Sequence, residues 1–314
     1  MTGWTAADIP DLTGTTAVVT GANSGLGLVT ALELARHGAA VTMACRDADR
    51  GRRALEQVRA EAPDAEVGLA ALDLADLRSV RAFAASWTQD HPEGLGLLVN
   101  NAGVMAVPRG VTVDGFERQL GTNHLGPFAL TGLLLPSLLL VPGARVVTVS
   151  SNAHKMGRLR LDDLQSTRRY RRWAVYGQSK LANLLFAFDL QRRADAHGAA
   201  LLSLAAHPGY AATNLTTAGP ASGSALAGRV MRLVDGVVGQ PAEAGALPQL
   251  YAATCPDIVG GAYIGPDGFM EQRGHPVPVS PTAAARDVAA AAALWEASEE
   301  LTGVRYVWSG AAAP

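Results

Sequence analysis

Tyr176 and Lys180 stand four residues apart, so on a helix their side chains share one face. A phenol and an ammonium at that distance alter each other's proton affinity. Ser151, upstream of the pair, adds a neutral hydroxyl that can hold a substrate oxygen. Protonating an oxygen that gains negative charge asks for such a trio: a proton donor, a group that tunes it and a group that fixes the oxygen.

A second feature lies far upstream in Thr20-Gly21-Ala22-Asn23-Ser24-Gly25-Leu26-Gly27. The residues before it, 16–20, are short, apolar and β-branched, which suits a strand buried on both faces. After it, Leu28, Leu32 and Ala35 recur near helical spacing, and Gly38 supplies a stop. Strand, glycine turn and helix in that order aim unpaired N–H groups and the positive helix end at one point, where an anion belongs. The two features together read as a nicotinamide-dependent oxidoreductase. A free phenol has a pKa of about 10, so Lys180 and an oxidised nicotinamide are expected to lower that of Tyr176.

The elements that must position these groups follow an alternating pattern. Strands are expected over 16–20, 40–44, 66–72, 95–99, 145–150 and 199–205, and helices over 26–37, 49–60, 77–87, 115–140 with a break at Pro136, and 176–197. A last strand and turn over 260–270 and an alanine-rich helix over 282–299 complete the chain. Alternation of this kind implies an α/β fold: a single Rossmann-type, doubly wound parallel sheet with helices on both faces. Ligands of such sheets sit outside the carboxyl ends of the strands. Gly21, Arg46, Asp73, the run Asn100 to Gly103, Ser150-Ser151 and His207-Pro208-Gly209 all stand there.

Composition bounds the function. The 314 residues, 48 % hydrophobic and 17 % charged, can bury a substantial core, and no linker divides them, so a single domain over 1–314 is expected. A net charge of −2 gives no general attraction to nucleic acid or to anionic lipid. Two cysteines make no disulfide framework, and the seven histidines form no metal-ligand pattern, so no metal is expected. The N-terminus has no secretory pattern and the longest apolar stretch, 130–141, is too short to span a bilayer. A cytoplasmic protein without nucleic-acid or membrane partners is expected.

The set Thr20 to Gly27, Asn100 to Gly103, Ser151, Tyr176, Lys180 and Pro208-Gly209 resembles the short-chain dehydrogenase/reductase family over roughly residues 14 to 215. Asn152-Ala153-His154, Asp163-Leu164-Gln165 and Ser179 to Asn183 resemble its retinol-dehydrogenase-like branch. The resemblance implies Tyr176 as acid/base, Ser151 on the carbonyl oxygen, Lys180 on the nicotinamide ribose, and Asn123 as a helical asparagine supporting a water relay to the lysine. It implies a cofactor site of Gly21, Asn23, Ser24, Gly25, Leu26, Gly27, Asp73, Leu74, Asn100, Ala102, Gly103, Tyr176, Lys180, Pro208, Gly209 and Thr213. Asp73 would take the adenine amino edge, Leu74 the ring, and Thr213 the carboxamide.

Cofactor choice turns on the end of the second strand. Cys45 occupies the position at which an acid selects NAD, and Arg46 follows it, so NADP(H) is favoured and NAD(H) stays open, with Asp47 close by. Neighbouring strand residues face opposite ways, so only one of Ser150 and Ser151 can face the crevice; the resemblance assigns that place to Ser151, and Ser150 is read as structural. Tyr170, followed by two arginines, is read as lying on a solvated turn, and the arginine-rich stretch 157–173 as solvated surface. Residues 214–240 have the composition of a cover over a substrate cleft. The substrate is a small-molecule carbonyl or alcohol, and the family resemblance implies a homodimer or homotetramer. A protein that senses NADP(H) without catalysis is the alternative, although it would have no need of the Tyr-Lys pair.

Overall fold

Eight strands form one sheet in the order β3-β2-β1-β4-β5-β6-β7-β8 in a computed structural model that describes residues 3–210 and 240–308. They are β1 (Thr16–Thr20), β2 (Ala40–Cys45), β3 (Val67–Ala71), β4 (Leu97–Asn100), β5 (Ala144–Val149), β6 (Leu201–Ala206), β7 (Tyr263–Pro266) and β8 (Pro276–Pro278). All neighbours pair in parallel except β7 and β8. The order reverses between β1 and β4, and a crevice at the carboxyl ends of the strands follows from that switch.

Helices cover both faces. On one lie α1 (Gly25–Arg36) and α2 (Ala48–Glu61), together with α7 (Ala242–Thr254). Ala31, Leu34, Ala54, Val58, Ala246 and Leu250 bury them against Val19, Val41 and Val99 of the sheet. On the other face lie α3 (Leu77–Asp90), the short α4 (Arg118–Leu120), α5 (Gly126–Leu139), α6 (Arg172–Ala196) and α8 (Val288–Thr302). Phe83, Phe128, Phe186 and Trp295 meet there over Val18, Leu98 and Val146. Strands apolar on both sides are what such double coverage requires.

Four sequence expectations are corrected. Pro136 does not break its helix: α5 runs on to Leu139, because Leu134, Leu135 and Leu138 are fully buried and the lost ladder bond falls in the last turn. Helical backbone begins at Arg118 rather than 115, and a π turn over Gly121–Leu125 joins α4 to α5. The antiparallel β8 is an addition to the expected strands, since its two prolines argue against a central strand; it lies at the sheet edge, where prolines are tolerated. The last helix starts at Val288, capped by Asp287 onto the Ala290 N–H. Thr213 and all of 214–240 except Gln240 lie outside the described residues.

Candidate active site

The glycine turn needs its glycines. Gly21 has φ +68° and Gly25 φ +54°, a region in which side chains strain the backbone. A Cβ on Gly27 would stand 2.5 Å from both Asn101 Nδ2 and the Gly21 carbonyl, so the first turn of α1 sits directly against the loop after β4. Thr20 fixes that approach: its Oγ1 accepts from the Asn101 and Ala102 N–H groups at 3.0 Å, and its carbonyl accepts from Asn101 Nδ2 at 2.8 Å. Ser24 precedes α1 in extended backbone and places no side chain on the N–H groups of the first turn. Those donors stay available to an anion.

Around this turn the other strand ends are set out. Arg46 is exposed at the end of β2, while the Asp47 carboxylate accepts from the Asp49 and Arg50 N–H groups and caps α2. Asp73, after β3, accepts from the Ala75 N–H at 2.9 Å, and Leu74 is buried with its backbone against Gly126. Asn100 ends β4; its Nδ2 donates to Thr131 Oγ1 at 3.0 Å, and its buried Oδ1 has no partner among the described residues. Gly209 has φ +66° and a Cβ there would meet the Gln272 carbonyl at 2.3 Å, so Pro208-Gly209 is held against the loop before β8. Gln240 donates to the Pro208 carbonyl at 2.6 Å.

Ser151, Tyr176 and Lys180 come together. Tyr176 lies on α6, buried, with the Ser151 side chain close enough to influence its phenol. Lys180, one turn on, points Nζ at the Val149 carbonyl at 2.9 Å and lies 5.9 Å from the centre of the Tyr176 ring. Burial pushes the phenol up to about 12, with the Ser151 side chain acting in the opposite direction. The same burial pushes the ammonium down to about 8. The expectation of a lowered Tyr176 includes a bound oxidised nicotinamide; in the chain by itself desolvation of the phenolate outweighs the neighbouring side chains.

Asn123 lies at the centre of the π turn, fully buried. Its Oδ1 accepts from the Val104 N–H at 2.7 Å, and its Nδ2 donates to the Val104 carbonyl at 2.9 Å and to Ser179 Oγ at 3.0 Å. A Cβ on Gly103 would fall 3.0 Å from Asn123 Oδ1 and 3.6 Å from Lys180 Nζ, so the loop after β4, the π turn and α6 meet at one spot. Widened π turns recur at functional sites.

Ser150 makes a structural contact, in line with the reading taken from the resemblance: Oγ donates to the Lys180 carbonyl at 2.8 Å and fixes α6 to β5. Tyr170 is a correction. It is half-buried rather than on a solvated turn, donating to the Val107 carbonyl at 3.0 Å and accepting from Gln119 at 2.9 Å. Those partners lie more than fifty residues away in sequence, beyond any local signal.

Sequence reasoning missed three contributors. Ser179 stands inside the Tyr-Lys motif without an assigned role, although helical spacing puts it beside Tyr176. His154 holds the Ser151 carbonyl through Nδ1 at 2.8 Å. Glu271 reaches Lys155 at 2.9 Å and His207 Nε2 at 3.2 Å from a distant turn that carries no motif. A cavity of about 540 Å³ lined by Phe188, Gln191, Tyr251, Tyr263 and Val279 contains none of the catalytic candidates, so the chemistry lies elsewhere in the molecule.

Comparison with known proteins agrees with this arrangement. The model of the short chain dehydrogenase family matches residues 15–221. Human retinol dehydrogenase 13 is 38 % identical over 97 % of this chain and 89 % of its own length. Mouse polyprenol dehydrogenase is 41 % identical over 94 % of this chain and 86 % of its own. A crystal structure of a protein from Mycobacterium paratuberculosis superposes with a TM-score of 0.80 at 48 % identity, covering 98 % of this chain and 100 % of that one. The chain belongs to the short-chain dehydrogenase/reductase family, in its retinol-dehydrogenase-like branch, and is an oxidoreductase. Among the described residues no helix is long and apolar enough to cross a membrane.

Proposed function

We propose that this oxidoreductase moves hydride between NADP(H) and the carbonyl or alcohol of an apolar small molecule, with Tyr176 as acid and base. The observation that carries the reading is the gathering of the buried Tyr176 phenol, the Lys180 ammonium 5.9 Å from its ring centre and the Ser151 side chain beside them.

The glycine turn fits a dinucleotide: Gly21, Gly25 and Gly27 keep the approach clear, the α1 N–H groups are uncapped, and the buried Asn100 Oδ1 lacks a partner among the described residues. Gly21, Asn23, Ser24, Gly25, Leu26 and Gly27 would hold the diphosphate, Asp73 and Leu74 the adenine, and Asn100, Ala102, Gly103, Pro208 and Gly209 the nicotinamide side. Arg46, exposed and free of Asp47, would take the 2′-phosphate, which favours NADP(H). When bound, the cofactor supplies or accepts the hydride.

The side chains do the rest. Ser151 orients the substrate oxygen beside the phenol, and Tyr176 donates a proton to it during reduction or removes one during oxidation. Lys180 stabilises the phenolate left behind, and Asn123 holds the backbone next to Lys180 open for proton replenishment. Trp173, 44 % exposed, packs its ring edge-on to Tyr176, and Met270, 65 % exposed, lies in the turn bonded to Asn152. Trp173 beside the phenol and Met270 in the turn that meets Asn152, the residue after Ser151, support an apolar substrate, as do the names of the retinol and polyprenol dehydrogenase relatives. We read the chain as one domain, since a single sheet joins its described halves.

A panel of carbonyls and alcohols of increasing apolar length, followed by NADPH absorbance, tests the reading. Turnover rising with apolar length is expected. NADPH binding without turnover on any compound would overturn it in favour of a cofactor sensor.

A further inference from the structure

The arginine-rich stretch before α6 is solvated, as its composition implied, yet its side chains are not scattered. Arg158, Arg160, Arg169 and Arg171 line one cavity of about 230 Å³, closed by Met156, Ser166, Ala174, Val175 and Gln178. Elsewhere on the surface some arginines close on local acids, as Arg36 does on Glu33 and Glu61, and Arg78 on Asp76, whereas others, such as Arg46 and Arg53, stand singly without an ion-paired carboxylate among the described residues. Here the two nearby acids are already committed. Asp162 pairs with Arg168 at 2.6 Å, and Asp163 accepts from the Thr167 N–H and hydroxyl and from the Arg168 N–H. Among the described residues none of the four cavity arginines has a carboxylate partner.

Four like charges around one concavity repel one another, and a bound anion removes that repulsion. The cavity floor is the start of α6, a 25-residue helix whose first turn has no side-chain cap, so its N–H groups add to the same field. Guanidinium forks match the oxygens of a phosphoryl group two at a time. The volume is below the ~300 Å³ at which pockets hold drug-sized ligands, so it suits a charged group rather than a whole molecule. Ser166, buried and held at φ +48°, lies beside the arginines, while the Gln178 amide holds the wall in place, accepting from the Arg160 N–H at 3.2 Å and donating to the Leu164 carbonyl at 3.0 Å.

We propose that this cavity is a phosphoryl-anion site, taking a mono- or diphosphate group one helix face away from Tyr176. The site is separate from the cofactor cradle, and its test reads binding rather than turnover.

Inorganic pyrophosphate is titrated calorimetrically into the full chain saturated with NADPH, which occupies the cradle's own phosphate contacts. Saturable binding at one site is expected, weakened tenfold or more in Arg158→Gln/Arg169→Gln and unchanged in Arg46→Gln. Arg46→Gln in turn lowers NADPH affinity alone, so failure of the cofactor reading shows separately. The substituted arginines are exposed, and matching melting curves verify that the variant is folded. Co-sedimentation with phosphatidylcholine vesicles containing phosphatidic acid identifies the source. Vesicle binding that needs the same arginines assigns the site to a lipid headgroup, and pyrophosphate binding alone assigns it to a soluble phosphate ester. No saturable binding in either arm, or equal binding by the double variant, overturns the proposal.

Discussion

The Lys180 ammonium lies 5.9 Å from the centre of the Tyr176 ring and donates to the Val149 carbonyl at 2.9 Å. One helix face thus holds an acid made weaker and a cation made easier to discharge, both by burial. Each group's proton affinity is set by the same dry surroundings, the condition under which buried groups of one site come to exchange protons.

That pairing sets a pH dependence of stability. Lys180 falls from an ordinary 10.5 to about 8 on folding, so between these values the unfolded chain holds a proton that the folded chain has shed. Stability therefore rises with pH across that window. Tyr176, raised to about 12, acts in the opposite sense above its ordinary 10, where the unfolded phenol ionises first. Lys180→Met should abolish the rise, as urea midpoints of both proteins measured from pH 7.5 to 10 will reveal. Parallel profiles would contradict the buried-ammonium account.

Asn123 joins three elements, and its loss leaves the Val104 N–H and carbonyl and the Ser179 hydroxyl without that partner. Asn123→Ala should cost about 1–3 kcal/mol of stability. Turnover should fall with KM for substrate little changed, because the role proposed for the asparagine lies in the proton path and not in holding the substrate. Steady-state kinetics with chemical denaturation on the same preparation checks both.

At Gly27 an added methyl group would meet Asn101 Nδ2 and the Gly21 carbonyl at 2.5 Å. The loops must then move apart, and Gly27→Ala should lose about 1–3 kcal/mol of stability together with most of its NADPH affinity. Thermal melting and NADPH fluorescence titration measure the two losses. A variant that melts and binds as the parent does would show that the turn is not the cradle.

Arg46 is the residue proposed to take the 2′-phosphate. Hydrogen bonds to a charged group are worth about 1.5–3 kcal/mol, so Arg46→Ala should raise the KM for NADPH by roughly tenfold to a hundredfold. The KM for NADH should hardly change. Equal effects on the two cofactors would remove the 2′-phosphate assignment.

The first six of the seven parallel strands were legible because buried strands read as short apolar runs between helical periods, and each of their ends is followed closely by a polar or glycine residue where the pattern stops. Ser151, Tyr176, Lys180 and Asn123 were legible as types and positions, and the structure brings them within one locus. What escaped was set by contacts distant in sequence. Tyr170 reads as exposed until Val107 and Gln119 fold against it, and Glu271 gives no hint of Lys155 or His207. Pro136 reads as a helix breaker until the buried leucines around it hold the helix together. The raised Tyr176 phenol also depends on burial, a quantity that spacing does not carry.

Tyr176→Phe tests the central claim most directly, because it removes one hydroxyl from a buried ring and leaves the packing against Trp173 intact. Turnover of the best substrate should fall by about 10²-fold or more while NADPH still titrates with parental affinity. Retained turnover in the Tyr176→Phe variant with cofactor bound would contradict the account.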